Sequence, residues 1–379
     1  MSIFLYACGY GLIAFNYPLF ARELGAGTLE TGFIYSFSSF VTAVAALIGG
    51  YMSHRVELKK LILAGNALII PASVIYTFAS DWRWLFAAEF LIGASFVIAP
   101  AIYYYTYLRT AHGAHGKSFG VMSVAFPLGM AFMPAIGGRL ADLYGLRAPF
   151  YGCLAFYVLS CLVLLWLEEL KPEPLANRGT LTERLRAFLG EKSLLGILAL
   201  FGALIFLEGV YTPFLPVYLK SIEGIGYASV GLVASVMFAV NAVATPIAGH
   251  AADIYGVRRV LGVTLLVFGS ALALMSRTTD FAFILALAVL DGAFRHMYLM
   301  NSVATSKSIK NVPVGVAYGL MSFSRSALYT LGPTAGGALA RASTALAVFV
   351  PGVAYGLIGI SILAVDLGRS RQSNKLAVD

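Results

Sequence analysis

Apolar runs of about 20 residues alternate with short polar or basic stretches along nearly the whole chain. Twelve such runs fall at about 2–21, 31–51, 61–80, 84–108, 118–138, 148–167, 194–219, 227–248, 260–276, 281–304, 314–338 and 344–365. Each is long enough for an α-helix to cross the hydrocarbon core of a bilayer. A helix also satisfies its own backbone hydrogen bonds, as lipid demands. The pattern predicts an all-α membrane protein of twelve transmembrane helices. Most connections are short, and the exception is 168–193, which is rich in charge and holds Pro172 and Pro174. Within it, Thr180 and Glu183 fit a capping box, and Leu181, Leu185 and Leu189 share a helical stripe. A short interfacial helix on the cytoplasmic side is expected there, serving as a plain linker or as a lipid-binding regulatory element. The chain thus divides into a six-helix bundle over 1–167, the linker 168–193, a second six-helix bundle over 194–365 and a tail over 366–379.

The two bundles repeat one another at an offset of about 199 residues. Phe119-Gly-Val-Met-Ser123 corresponds to Tyr318-Gly-Leu-Met-Ser322, and Pro134-x-x-Gly-Gly138 to Pro333-x-x-Gly-Gly337. Gly32 corresponds to Gly231, Gly50 to Gly249, Lys59 and Lys60 to Arg258 and Arg259, and Gly93 to Gly292. One register held over so many elements implies duplicated, pseudo-symmetric bundles. Six spans per half is an even number, so the halves share one orientation.

Composition agrees. Of 379 residues, 59% are apolar and 12% charged, about half the charge of a soluble domain. Lipid must therefore solvate much of the surface. The net charge of +8 arises from loops rather than from a nucleic-acid-binding face. Alternate loops carry 17 and 7 Lys or Arg residues, and by the positive-inside rule both termini are expected in the cytoplasm of a cell-membrane protein. Cys8, Cys153 and Cys161 lie in apolar runs, without the even number or spacing of a disulfide framework or metal site. No cleavable leader is read at the start, and Met1 opens directly on the first span. Neither a metal-binding helix motif nor a nucleophile constellation is found, so an enzyme is not expected. Ala111-His-Gly-Ala-His-Gly116-Lys117-Ser118 imitates a phosphate-binding loop, but that motif needs a strand before it. Here it joins two spans and is read as a basic turn, which leaves no ATP-driven or other cofactor-dependent step.

Two local motifs extend the picture. After the second span stands Gly50-Tyr-Met-Ser-His54-Arg55-Val-Glu-Leu-Lys59-Lys60, and after the eighth Gly249-His-Ala-Ala-Asp253-Ile-Tyr-Gly256-Val-Arg258-Arg259. Both resemble the loop motif G-x-L-A-D-R-x-G-R-K of the major facilitator superfamily, with His54 where the family usually has Asp. The fifth span resembles that family's exporter motif through Gly129, Pro134, Gly137 and Gly138, with Met133 in place of one glycine. The eleventh carries Gly332, Pro333, Gly336 and Gly337. The resemblance covers the whole chain. It implies a secondary transporter working by alternating access, with its substrate between the halves near the membrane midplane. It also implies that the motif acid closes an inner gate against a helix of the other half, with Asp253 aimed near Lys117 and His54 a weaker counterpart. Independently of family, small residues let helices approach closely in lipid, and the glycines and prolines serve packing or a hinge.

Ionisable residues inside spans are costly and functional by default. Glu208 lies in span seven, Asp291 and Arg295 in span ten beside His296, and Arg325 in span eleven. Asp291 and Arg295 are four apart and share a helix face. The family resemblance implies that spans seven, ten and eleven lie together, which would bring Glu208 to Arg325, as a substrate or coupling site or as a purely structural network. Glu89 lies in span four, where the family commonly has arginine, and its own half offers it no deep basic partner. It is expected to carry a proton, to hold a cationic substrate, or to be a protonated bystander. The resemblance implies that spans one and four line the cavity, which makes Asn16 a candidate for its wall. Asn241 is a further polar position, and Tyr103, Tyr104 and Tyr105, near a span's cytoplasmic end, read as an interfacial belt. Together these residues point to a proton-coupled exporter of a small organic solute, acting as a monomer. An importer or uniporter of the same fold is the alternative.

Overall fold

The computed structural model describes residues 1–109, 115–170, 192–295 and 314–376, with side chains for 1–109, 125–170, 199–295, 315–316 and 318–365. The linker helix, His296, the start of the false phosphate motif and the side chain of Lys117 lie outside that set. Among the described residues every regular element is a helix. In the first half these are α1 (Ser2–Ala14), α2 (Tyr17–Glu23), α3 (Thr28–Met52), α4 (Leu58–Ala67), α5 (Ile69–Phe78), α6 (Trp84–Ser95), α7 (Ile98–Arg109), α8 (His115–Tyr144) and α9 (Ala148–Leu165). In the second they are α10 (Lys192–Tyr211), α11 (Leu215–Ser221), α12 (Tyr227–Tyr255), α13 (Val257–Met275), α14 (Phe281–Phe294), α15 (Val314–Tyr329), α16 (Gly332–Ala342) and α17 (Thr344–Leu376). Among the described residues, eight helical stretches are long and apolar enough to span a bilayer, and nine if α1 and α2 form one broken span. The remaining α8, α14 and the α15–α16 pair fall where spans five, ten and eleven are expected, which is consistent with twelve.

Several spans are broken at positions the repeat relates. The first bends by 45° between α1 and α2. Pro18 follows the break and lacks the N–H that would continue the ladder. The bend releases the Leu12 carbonyl, and the buried Asn16 amide donates to it at 2.9 Å. In the seventh span the break between α10 and α11 contains Pro213 and is followed by Pro216. In the fourth and tenth spans α6 ends at Ser95 and α14 at Phe294, 199 residues apart.

Within each half, α1 packs on α8 and α9, and α3 on α6; in the second half α13 packs on α17, and α12 on α14. The halves meet along two seams, α3 against α15 and α16, and α8 against α12. The repeat exchanges these seams residue by residue. Gly32 faces the Pro333 carbonyl, and Gly231 the Pro134 carbonyl. Gly337 faces the Thr28 carbonyl, and Gly138 the Tyr227 carbonyl. The Ser36 hydroxyl accepts from the Thr334 N–H at 3.2 Å, and the Ser235 hydroxyl from the Ala135 N–H at 3.0 Å. Inside the halves, Gly93 packs on Ser38 and Val41, and Gly292 on Met237 and Val240. Every one of these pairs differs by 199. The seams are therefore two copies of one interface, and each needs glycine because backbone meets backbone there.

Candidate functional site

The candidate acids separate into two chemically different groups. Glu89 on α6 is buried and accepts from the Tyr76 hydroxyl at 2.7 Å. The Tyr17 and Ser38 side chains lie close to its carboxyl and act on it, although the buried Tyr17 hydroxyl makes no hydrogen bond among the described residues. A hydroxyl donates to a carboxylate and accepts from a protonated carboxyl equally well, so this cage tolerates both forms. The rings around it interlock: Tyr17 meets Tyr76 and Tyr35 edge-on, with centroids 5.5 Å apart in both pairs.

The second half pairs its acids with arginine. Arg295 donates through Nε to Asp291 Oδ1 at 2.8 Å, and its Nη2 lies 2.7 Å from the same oxygen. Asp291 is fully buried, and the guanidinium lies against the rings of Tyr211 and Phe268, 5.6 Å from each ring centre. Glu208 on α10 is buried and feels the charges of Arg325 and Arg295, and its Oε2 meets no hydrogen-bond partner among the described residues. The geometry thus holds the expected pair of Asp291 with Arg295, whereas Arg325 acts on Glu208 through its charge.

Arg325 is exposed although it lies deep in its span. It acts electrostatically on Tyr10 and Tyr103 of the first half and on Tyr329 of its own half. It therefore faces the space between the halves. Tyr10 feels Glu89, Glu208 and Arg325 together, which makes it the meeting point of the two groups. Tyr10, Tyr17, Tyr35, Tyr76 and Tyr329 were not singled out from sequence. A signal was available for Tyr10 and Tyr329, which lie far from their spans' ends where an interfacial role is excluded, but not for Tyr17, Tyr35 and Tyr76, each four residues from an end. Of the expected belt, Tyr103 and Tyr104 pack on other segments of the protein. Tyr103 stacks on Tyr318 across the seam at 4.2 Å, Tyr104 lies 4.2 Å from the His54 ring, and the Tyr105 hydroxyl donates to the Glu168 carbonyl.

Asn16 and Asn241 are tied to backbone. Asn16 serves the α1–α2 break, and the Asn241 amide donates to the Gly292 carbonyl at 3.3 Å. A cavity of about 790 Å³ opens along the first seam, lined by Phe33, Phe37, Phe40, Trp82, Phe86 and Phe206. None of the deep acids lines it, so the charged centre rather than this apolar groove is the candidate site.

The loop motifs differ between copies. In the first, Ser53 and the buried His54 pack on Gly315, and Gly50 packs on Gly315 and Gly319 of α15. Arg55 lies over the Tyr51 ring, Lys59 is partly buried, and Lys60 pairs with Glu57 at 2.7 Å. Beside them, outside the spans, hydrogen bonding and like charge from Glu57 push the Glu169 carboxyl above its ordinary range. In the second copy Gly249 is half-buried, while Asp253, Arg258 and Arg259 are exposed. Gly256 ends α12 with φ +85°, a conformation that a side chain disfavours. Asp253 meets no hydrogen-bond partner among the described residues, and the Lys117 side chain lies outside them. Gly129 and Gly137 pack on Ala7 and on the Leu12 carbonyl of α1, and Gly332 and Gly336 on the Phe206 and Val210 carbonyls of α10.

Comparison with known proteins extends this geometry. The family model described as Major Facilitator Superfamily matches residues 1–227 and again 197–377. A relative named multidrug resistance protein MdtG, from Proteus mirabilis, is 28% identical over 275 residues, covering 69% of this chain and 68% of its own. The MdtG of Serratia proteamaculans is 28% identical over 282 residues, 70% of this chain and 67% of its own. Among solved structures, a mutant form of the nucleoside transporter NupG superposes with a TM-score of 0.79 over 96% of this chain and 97% of its own, at 14% identity. That likeness concerns the fold.

Proposed function

The chain belongs to the Major Facilitator Superfamily, and on that premise we propose that this transporter exports small organic compounds by alternating access in exchange for protons. Membership makes it a multi-pass membrane transporter of small molecules, not an enzyme. The observation that carries proton coupling is the contrast between the acids. Glu89 has hydroxyl partners that serve either protonation state, whereas Asp291 and Glu208 each face arginine. A guanidinium beside a carboxyl favours the charged form, so such pairs hold structure or bind substrate rather than cycle a proton. Export draws support from the relatives named multidrug resistance proteins and from the glycine–proline motif of the fifth span. In this reading the protein acts as a monomer in the cell membrane with both termini in the cytoplasm. Arg325 and Tyr10 face the bound compound, the Asp253 and His54 loops close the inner end, and Glu89 exchanges its proton as the halves rock.

Purified protein in proteoliposomes loaded with a pH-sensitive dye tests this. A panel of organic compounds is added against an imposed pH gradient. A substrate should dissipate the gradient, and the gradient should in turn drive that substrate uphill. Substrate exchange that ignores the gradient would replace the reading with a uniporter.

A further inference from the structure

We infer that Asp142 is a latch between the halves, the residue that positions one end of the transporter shut, and that only one of the two seams has such a latch. This inference rests on alternating access alone and not on proton coupling. Asp142 lies at the end of α8, in the first half. Its carboxylate accepts from two backbone N–H groups of the second half, Oδ1 from Tyr227 at 2.9 Å and Oδ2 from Ala228 at 2.9 Å. These are the first N–H groups of α12, whose preceding residue Gly226 offers no side chain to cap them. The first turn of α12 also contains no acid of its own. The positive end of this helix therefore takes its counter-charge from across the seam. One turn earlier on α8, Gly138 lets the backbones close on the Tyr227 carbonyl, which sets the carboxylate within reach.

The repeat supplies an internal control. In the other seam, Gly337 closes on the Thr28 carbonyl in the same way, so residue 341 stands where residue 142 stands. Residue 341 is arginine, which cannot accept a hydrogen bond. The helix it faces, α3, has its own acid in the first turn, Glu30, folded back on Gly27. One seam thus neutralises its helix end within a half and the other does so between halves. Asp142 is exposed, and near it Lys220 lies over the Tyr227 ring at 4.7 Å while Glu23 also acts on Tyr227. A water-exposed cap is strong enough to bias a closed end and weak enough to release in each cycle. By the charge bias of the loops, this end faces outside.

The test places spin labels at Leu143→Cys and Glu223→Cys, exposed positions on either side of the contact, in full-length protein in nanodiscs. Pulsed electron resonance reads the fractions of near and far distances. Asp142→Ala should raise the far-to-near ratio by roughly 2- to 30-fold, the range that loss of a helix cap produces. Asp142→Asn keeps one acceptor and should fall between, and it decides the question if the alanine variant does not fold. Glu30→Ala removes the charge that stays within one half and should leave the ratio unchanged. An unchanged distribution in both Asp142 variants would overturn the inference. So would an equal opening by Glu30→Ala, which would mean general helix-end stabilisation rather than a latch.

Discussion

Replacing Glu89 by Gln isolates the proton from the rest of the site. The amide oxygen keeps an acceptor for the Tyr76 hydroxyl, now 2.7 Å away, and the amide N–H can donate to the hydroxyl of Tyr17 or Ser38. The cage should therefore survive, and folding with it. What is lost is the ability to exist in two charge states. One such carboxyl among the described residues implies one proton per substrate. A pH step of one unit carries about 1.4 kcal/mol per proton, which supports at most about a tenfold accumulation of a neutral substrate. The wild type should approach that ratio in proteoliposomes, and Glu89→Gln should fall to about one, meaning simple equilibration. Counterflow of labelled against unlabelled substrate moves no net proton, and its rate should stay within about twofold of wild type at matched protein levels. Accumulation in the variant near tenfold would refute the assignment and pass the role to Asp291. Equal loss of accumulation and counterflow would mean that Glu89 binds substrate or holds the fold.

Glu208→Gln should impair accumulation and counterflow together, because Arg325 at the central space loses its acid; sparing of counterflow would argue that Glu208 is dispensable for binding. Arg295→Ala leaves the fully buried Asp291 carboxylate unpaired and should cost about 3–5 kcal/mol, read as a large drop in thermal stability in detergent; a change under about 1 kcal/mol would mean that water replaces the guanidinium. Gly32→Ala and Gly231→Ala each push a methyl onto the carbonyl of a seam proline, Pro333 or Pro134, and should cost a similar 1–3 kcal/mol or so each. Clearly unequal losses in the two melting curves would show that the seams are not energetically equivalent.

Much of this fold is legible in a linear reading, for a physical reason. Lipid forces each crossing segment to be long, apolar and helical, so spans and their order follow from local composition. Duplication is equally local, since the 199-residue register needs only string comparison. The ion pairs were half legible. Asp291 and Arg295 share a helix, where spacing alone predicts contact. The approach of Glu208 and Arg325 joins two spans, and only the family resemblance, which places spans seven, ten and eleven together, suggests it.

Sequence by itself thus determined the class of protein, the division into two related halves, and the short list of residues too costly to bury without purpose. Tertiary structure decided what surrounds them. The Tyr17, Tyr76 and Ser38 hydroxyls come to Glu89 from three other helices, and no local pattern marks a hydroxyl as partner to a distant carboxyl. Tyr103, read as part of an interfacial belt, stacks instead on Tyr318 because α7 lies against α15. Apolar periodicity cannot tell a tyrosine facing lipid headgroups from one facing a helix of the other half. The asymmetry of the seams is of the same kind. Asp142 and Arg341 are plainly different letters at repeated positions, but their meaning depends on which helix end each one meets. That meeting is set by backbone contacts between glycines and carbonyls far apart in the chain.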